Sequence, residues 1–340
     1  MKLSDFDYSL PESFIAQDPA DPRDSCKLMV FDTSRGVVEH RIFRDILDYF
    51  GDGDVLVLNR SKVLKARILI ELDGKKCEVF LLKQIDCDLY RCLVKPGKMF
   101  PKNKKLFVND DLSIEIVDVE EDGVRIIKFI TNKDIEDFGV APFPPYIKFS
   151  HSSLSQYQTV YAKEKGSVAS PTAGLHFTED LLGKIVERGV SVEKVLLHVG
   201  LGTFLPVRTE NISDHVMHSE MYELEGETAE RLTVAKNEHK RIIAVGTTSV
   251  RVLETSFLND RFRPCSGETD IFIYPGYKWK VVDSLLTNFH LPKSSLVMLV
   301  ASFLENKGVK NGSKKILELY EIAKKENYKF YSFGDAMLII

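Results

Sequence analysis

Three segments of this sequence set histidines beside small or hydroxyl-bearing residues, a combination suited to proton transfer at a bound substrate. Residues 170–177 (SPTAGLHF) form a run of small residues ending near His176, just ahead of a predicted helix start. Such a loop lets a substrate approach the backbone while an imidazole moves a proton, although a purely structural histidine would look the same. His215 and His218 stand three apart with Glu220 close behind and His198 upstream. The zinc-helix signature needs histidines four apart with a Glu between them, so hydrogen bonding or acid/base work is expected here, and a metal is not. His290 in TNFHLP (287–292) and Asp335 in FGDAM (333–337) lie in polar–apolar mixtures near predicted element ends, where packing alone would also explain them.

Two glycine turns could approach a ligand. Gly200-Leu201-Gly202 follows an apolar strand, but the third glycine of a dinucleotide motif would fall at Leu205, ahead of Pro206. No helix opens there to receive a pyrophosphate, so a glycine pair lining some other pocket is the better reading. Gly246-Thr247-Thr248-Ser249 runs from a short apolar strand into a helix. Its free N–H groups could meet an anion or carboxylate, or the segment is an ordinary helix start. Lys95, Lys98, Lys102, Lys104 and Lys105 cluster in one loop region, either as a phosphate-contacting patch or as a solvated loop.

The elements that must position these groups fall into three sections. Up to about Asn59, strands are predicted at 27–32, 37–43 and 55–58, with short helices opening at Pro11-Glu12 and spanning 44–50. From about 66 to 130 the pattern is all-β, with strands at 66–72, 76–83, 89–95, 104–108, 112–119 and 124–130 and hairpin turns at Asp73-Gly74 and Asp122-Gly123. Short strands without a helix suggest a small closed barrel. From about 151 strand and helix alternate: a helix capped by Thr178 and ended by Gly189, then a strand at 190–199, a helix at 227–238, strands at 242–245 and 271–274, a helix from Ser294 or Ser295 to Phe303, and a last helix at 314–325. Alternation of this kind implies α/β layers. The first section is too small to fold alone, so the expected architecture is a layered α/β domain (1–60 plus 150–340) with a small antiparallel β-barrel inserted at 61–149.

With 340 residues, 46 Lys+Arg against 50 Asp+Glu and a net charge of −4, the chain is not a strongly basic nucleic-acid binder, so any polyanion contact must be local. Five scattered cysteines without CxxC spacing fit reduced thiols. The start MKLSDFDYSL lacks a signal-peptide pattern, and the apolar run at 296–301 is too short to span a bilayer. A cytoplasmic, membrane-free protein is therefore expected.

The segments in chain order resemble one family. They are LPESFIAQDPADPRD (10–24), GDVLVLN (53–59), PPYI (144–147), YQTVYA (157–162), SPTAGLHFTEDLL (170–182), HVGLGTFLPV (198–207), HVMHSE (215–220), AVGTTSVRVLE (244–254), TDIFIYPG (269–276), LLTNFHLPKSSLVMLVASF (285–303) and YSFGDAMLI (331–339). Together they cover almost the whole chain and resemble the S-adenosylmethionine:tRNA ribosyltransferase-isomerases of queuosine biosynthesis. The resemblance implies an α/β domain with an inserted β-barrel, and a reaction that uses S-adenosylmethionine as a ribosyl donor. The implied acceptor is 7-aminomethyl-7-deazaguanine at the tRNA wobble position, and the implied products are epoxyqueuosine in tRNA, adenine and methionine.

Such chemistry needs at least two acid/base groups. His176, His198, His215, His218, Glu220, His290 and Asp335 are the candidates within matched motifs. Substrate contacts are expected from Arg23, Asp24, Asn59, Tyr146, Thr172, Gly174, Gly200, Gly202, Thr203, Gly246, Thr247, Thr248 and Asn288. No cofactor is expected, S-adenosylmethionine being a substrate, and a monomer is the expected state. The sequence departs from the family pattern at Arg60, Ser61, Lys62 and Lys65, where Asp-Thr-Arg and a later Pro are common, and at Cys26-Lys27, where Ser-Arg is common. The lost Asp leaves Arg60 outside the expected site. The competing readings are a non-catalytic tRNA-binding protein and a methyltransferase; the latter would want a glycine-rich nucleotide loop after its first strand, and none is evident.

Overall fold

The structure is a computed structural model that describes residues 1–121, 123–148, 152–200, 202, 207 and 209–340. Before the all-β section the chain forms β1 (Lys27–Asp32), β2 (Val37–Ile42) and β3 (Val55–Asn59), followed by the short β4 (Ser61–Val63). Next come β5 (Arg67–Leu72), β6 (Lys75–Asp86), β7 (Leu89–Lys95), β8 (Lys105–Asn109), β9 (Leu112–Val119), β10 (Arg125–Ile130) and β11 (Gly139–Val140). The remainder comprises β12 (Glu164–Ser167), α1 (Glu179–Glu187), β13 (Ser191–Leu197), β14 (Glu220–Leu224), α2 (Gly226–Asn237), β15 (Ile242–Val245) and α3 (Gly246–Ser256). It ends with β16 (Phe257–Leu258), β17 (Arg261–Phe262), β18 (Cys265–Thr269), β19 (Ser284–Asn288), α4 (Ser295–Asn306), α5 (Gly312–Lys325) and β20 (Ala336–Ile339).

A nine-stranded sheet in the order β18-β14-β13-β3-β15-β19-β20-β1-β2 forms the frame. Its centre, β13-β3-β15-β19, is parallel. Parallel strands covered on both faces read as continuous apolar runs, as VLVLN in β3 and IIAV in β15 do. Alternate residues serve opposite faces. Val55 and Val57 join the core made with α2 to α5, whereas Leu56 and Leu58 join the core made with α1 and the 3-10 segment Phe43–Tyr49. The helix α1 is capped as its sequence suggests: Thr178 Oγ1 accepts from the Leu181 N–H, and Gly189 (φ +84°) turns the chain out of the helix.

The all-β section forms a seven-stranded antiparallel sheet, β11-β5-β6-β7-β10-β9-β8, around its own core of Ile68, Val79, Leu81, Ile114, Ile116, Ile127 and Phe129. The β5–β6 turn has Asp73 and Gly74 both at positive φ, +51° and +72°, the backbone that a two-residue hairpin favours. Asp122, in the other expected hairpin turn, lies outside the described residues. The sheet curls but keeps two edges, β11 and β8, instead of the closed ring expected. The parallel pair β4–β12 forms a separate small sheet beside the border of this section.

Residues 271–274 are not a strand. The sheet position that their hydrophobicity suggests belongs to β18, which pairs with β14, and Ile271, Phe272 and Ile273 instead wall a cavity. No helix among the described residues is long and apolar enough to cross a membrane.

Candidate functional site

In an open α/β sheet, ligands bind beyond the carboxyl ends of parallel strands, and the main cavity lies there. β15 ends at Val245, Gly246 (φ +81°) turns the chain into α3, and β19 delivers Asn288 alongside. The cavity, together with the solvent at its mouth, spans about 670 Å³ and is walled in part by Tyr146, Thr172, Thr248, Asn288, His290 and Tyr331. A second, smaller space adjoins it, sharing Thr247, Thr248 and Leu296 and reaching Arg251 and Phe272.

Asn288 organises one wall. Its amide nitrogen donates to the Tyr331 carbonyl (3.3 Å) and to His176 Nε2 (3.1 Å), and its oxygen accepts from the Thr172 hydroxyl (3.0 Å). Since a carbonyl can only accept, the amide orientation is fixed, and His176 Nε2 must be an acceptor. Its Nδ1–H then faces Cys26 Sγ at 3.1 Å. Burial, with the nearby Arg23 charge, pulls the His176 pKa down to about 4, so the ring is neutral at pH 7. His176 thus does not line the cavity but holds Asn288, which does.

His290 lines the cavity itself. Its backbone N–H donates to the Tyr320 hydroxyl (3.1 Å), leaving that O–H to donate to His290 Nδ1 (3.2 Å). The ring proton is therefore on Nε2, facing Thr287 Oγ1 at 3.1 Å. Tyr8 donates to the His290 carbonyl. Burial holds this imidazole neutral too, with its pKa pulled down to about 3.

Tyr331 packs against Tyr146 with ring centroids 4.7 Å apart and planes tilted by 37°, forming an aromatic wall. Its φ of +71° is unusual for a bulky side chain, and such backbone costs about 1–3 kcal/mol and clusters at functional sites. Its N–H donates to the Phe289 carbonyl, and its carbonyl accepts from the Asn288 amide and the Gly334 N–H. The hydroxyls of Ser170 and Thr248, both on the cavity wall and both buried, have no hydrogen-bond partner among the described residues.

The other expected residues separate into two groups. Near the second space, Glu220 Oε1 accepts the Gly200 N–H (2.7 Å) while Oε2 pairs with the buried Arg251. His215 packs edge-on against Phe272, and a side chain at Gly202 would collide with the His218 ring. Burial lowers the His215 pKa, with His218 adding to the effect. Thr203 lies outside the described residues.

The second group is away from the cavity and holds the frame together. Asn59 bridges to both backbone groups of Leu197 and to the Ser61 N–H. Asp335 accepts the N–H groups of Lys27 (2.7 Å) and Lys329 (2.6 Å), and burial raises its pKa. His198 Nδ1 lies 2.8 Å from Ser61 Oγ, and burial lowers its pKa. Arg23 donates to the carbonyls of Gln158 and Ser155, and Asp24 accepts from Arg44. A side chain at Gly174 would collide with the Tyr161 hydroxyl. At the family departure, Arg60 is buried and ion-paired to Glu164 (2.8 Å), Glu225 (2.9 Å) and Glu223 (3.2 Å), a cation that ties β3, β12 and β14 together.

The queuosine biosynthesis protein family matches residues 3–339. The chain belongs to this family. Proteins described as S-adenosylmethionine:tRNA ribosyltransferase-isomerase from Acetivibrio thermocellus and Thermosipho melanesiensis are each 49% identical to it, over 347 and 341 residues, with all of both chains covered. One of the same description from Fusobacterium nucleatum subsp. nucleatum is 48% identical, covering 99% of this chain and 96% of the relative. The crystal structure of an S-adenosylmethionine tRNA ribosyltransferase from Thermotoga maritima aligns over 99% of this chain and 100% of its own, with 38% identity and a TM-score of 0.57.

For a family member, the cavity residues absent from the expected site are instructive. Tyr331 and Ser332 line the cavity from the YSFGDAM segment, and Ser170 from SPTAGLHF. Arg251 stands four residues after Thr247 and three after Thr248, the spacing of one helix face, and that periodicity was the available signal. No group of three or more His, Cys, Asp or Glu side chains among the described residues is placed to hold a metal ion.

Proposed function

We infer that this chain transfers and isomerises the ribosyl part of S-adenosylmethionine onto 7-aminomethyl-7-deazaguanine at the tRNA wobble position, giving epoxyqueuosine-tRNA, adenine and methionine. The observation that carries this reading is near-50% identity over the full length to ribosyltransferase-isomerases. The sulfonium acidifies the ribose C5′ hydrogens, so a base removes one; adenine departs; the acceptor amine attacks C1′; ring reorganisation expels methionine.

Residue roles follow from placement. Among the acid/base candidates, only His290 is on the cavity wall among the described residues, and with its Nδ1 lone pair on the Tyr320 hydroxyl and its pKa pulled down to about 3 it is a neutral wall group and not the base. His176 is a positioning residue that acts through Asn288 and Thr172. The Tyr146–Tyr331 wall suits stacking of the adenine. Residues 1–60 with 150–340 are the discontinuous catalytic domain and 61–149 an inserted barrel-like domain, a division supported by the two separate sheets. The protein works in the cytoplasm, as a monomer, without a cofactor.

The deciding experiment is incubation with S-adenosylmethionine and tRNA bearing the aminomethyl-deazaguanine, followed by chromatography of the small molecules. Free adenine and methionine are expected in equal amounts, and only with the modified tRNA. S-adenosylhomocysteine in their place would establish a methyltransferase. Tight tRNA binding without turnover would establish a binding protein.

The lysine cluster is the proposed tRNA contact. Lys102 and Lys105 are paired with Asp118 (2.6 Å) and Glu115 (3.5 Å) of β9, while Lys95, Lys98 and Lys104 have no carboxylate partner among the described residues. Replacing these last three by Ala should weaken tRNA binding and lower the salt slope by about 1 for each lost phosphate contact. An unchanged slope would mark the cluster as a solvated loop.

A further inference from the structure

We propose that the N-terminus of α3 holds the carboxylate of the methionyl part of S-adenosylmethionine, with first-turn N–H groups and the Thr248 hydroxyl as its donors. This rests on S-adenosylmethionine being the substrate, and it adds the orientation in which that substrate is held.

The first N–H groups of a helix have no partner within it. The residue that precedes α3 is Val245, whose side chain cannot cap them, and no side-chain cap is present. They open at the wall of the main cavity, where Gly246, Thr247 and Thr248 all line the space. A helix N-terminus carries partial positive charge and favours an anion.

Thr248 supplies an independent observation. Its side chain is nine-tenths buried, and its Oγ1 has no hydrogen-bond partner among the described residues. That oxygen lies 3.6 Å from the point where a Cβ on Gly246 would stand, so it is aimed across the helix start. A buried hydroxyl left unpaired is unfavourable; an acceptor arriving at the helix start satisfies it.

The charge balance selects the carboxylate over the ammonium or the sulfonium. Among the described residues no Asp or Glu lines either space, and the charge of Arg251, one turn further along the same helix, is matched by Glu220. A cation at the helix start would face the positive end of the dipole with no carboxylate on the lining to meet it. Thr247 and Thr248 sit where the two spaces meet. An adenosyl group in the larger space, against Tyr146 and Tyr331, would send its amino-acid arm toward this junction.

The test is calorimetric binding of three ligands to wild type, Thr248→Val and Thr248→Ser. The ligands are S-adenosylmethionine, its decarboxylated analogue, and 5′-methylthioadenosine. Wild type and Thr248→Ser should bind S-adenosylmethionine about tenfold or more tighter than the decarboxylated analogue, the range for a hydrogen bond to a charged group. Thr248→Val, which keeps the backbone N–H groups, should lose much of that advantage while binding the other two ligands as wild type does. Because the native hydroxyl has no partner, this variant should unfold no more easily than wild type. Equal binding of the first two ligands by wild type, or an equal loss for all three in Thr248→Val, would overturn the proposal while leaving the ribosyl-transfer reading intact. Loss of tRNA binding in place of the carboxylate advantage would also overturn it, assigning the helix start to a phosphate. If wild type binds none of the three adenosyl compounds, the substrate reading itself fails and the proposal with it.

Discussion

Glu220→Ala is expected to lower the unfolding free energy by about 3–5 kcal/mol, the cost of leaving one partner of a buried ion pair alone. The side chains of Glu220 and Arg251 are 4% and 7% exposed. One carboxylate oxygen pairs with the guanidinium and the other accepts the Gly200 N–H. Arg251 Nη2 also donates to the Thr269 carbonyl on β18, the residue in register with Glu220 across the β14–β18 pair. Burial pulls the Arg251 pKa down only to about 10, so at pH 7 the guanidinium stays charged and, in the variant, unpaired. Replacing both residues by Leu should recover most of the loss, because an apolar pair of similar volume removes the stranded charge. Urea denaturation of the two variants measures this. A single variant within about 1 kcal/mol of wild type would show that water reaches the pair. The result also governs how activity data are read: a slow Glu220→Ala enzyme would reflect a damaged wall of the second space, not a missing proton carrier.

That pairing shows where the sequence stops being readable. HVMHSE groups Glu220 with two histidines two and five residues away, yet its partner Arg251 lies 31 positions downstream on a helix. The strands bounded by turn chemistry or by uninterrupted apolar runs were legible: β15 lies between Lys240-Arg241 and Gly246, and the β5–β6 hairpin turns at Asp73-Gly74. β14, β19 and β20 were not. EMYEL in β14 alternates, but it is short and follows a histidine-rich motif that drew the chemical reading. SLLTN in β19 is fully buried despite its polar residues, since Asn288 and Thr287 spend their polar groups on Thr172, His176 and His290. AMLI in β20 is a four-residue strand buried on both faces, with no periodicity of its own. The motif segments do converge in space: Tyr146, Thr172, Gly246, Thr247, Thr248, Asn288 and His290 share one cavity. Asn59, His198 and Asp335, from the same motifs, are off that cavity's lining and hold backbone or side-chain hydrogen bonds between elements distant in sequence. Motif membership does not distinguish a residue that positions a strand end from one that touches substrate.

The second large effect is on stability in mild acid. His176 and His290 are buried and neutral in the folded chain, with pKa values of about 4 and about 3 against an ordinary 6.5. Unfolding returns both to water, where they take up protons below pH 6.5. The folded pKa is depressed in each case, so the stabilisation is complete above pH 6.5 and is lost as pH falls toward the folded values. Each histidine contributes a slope of about 1.4 kcal/mol per pH unit within that window. Together they should remove about 3 kcal/mol between pH 6.5 and pH 5, the slope rising to its full value below pH 6.5 as the unfolded imidazoles take up their protons. His198 and His215, whose pKa values burial also lowers, act in the same direction. Glu254 and Asp335, whose pKa values burial raises, act in the opposite direction from the carboxylate side of the window, so the slope is best read nearest pH 6.5. Urea midpoints measured at pH 7.5, 6.5, 6.0 and 5.5 give the slope. His290→Gln, which cannot titrate, should reduce the slope between pH 6.5 and 5.5 by about 1 kcal/mol per unit. A wild-type slope below about 1 kcal/mol per unit between pH 6.5 and 5.5 would mean that the two rings are not both held neutral. Function is tied to the same protons. A proton on His176 Nε2 would oppose the Asn288 amide, and one on His290 Nδ1 would oppose the Tyr320 hydroxyl. The cavity wall and the fold should therefore fail together as the pH is lowered.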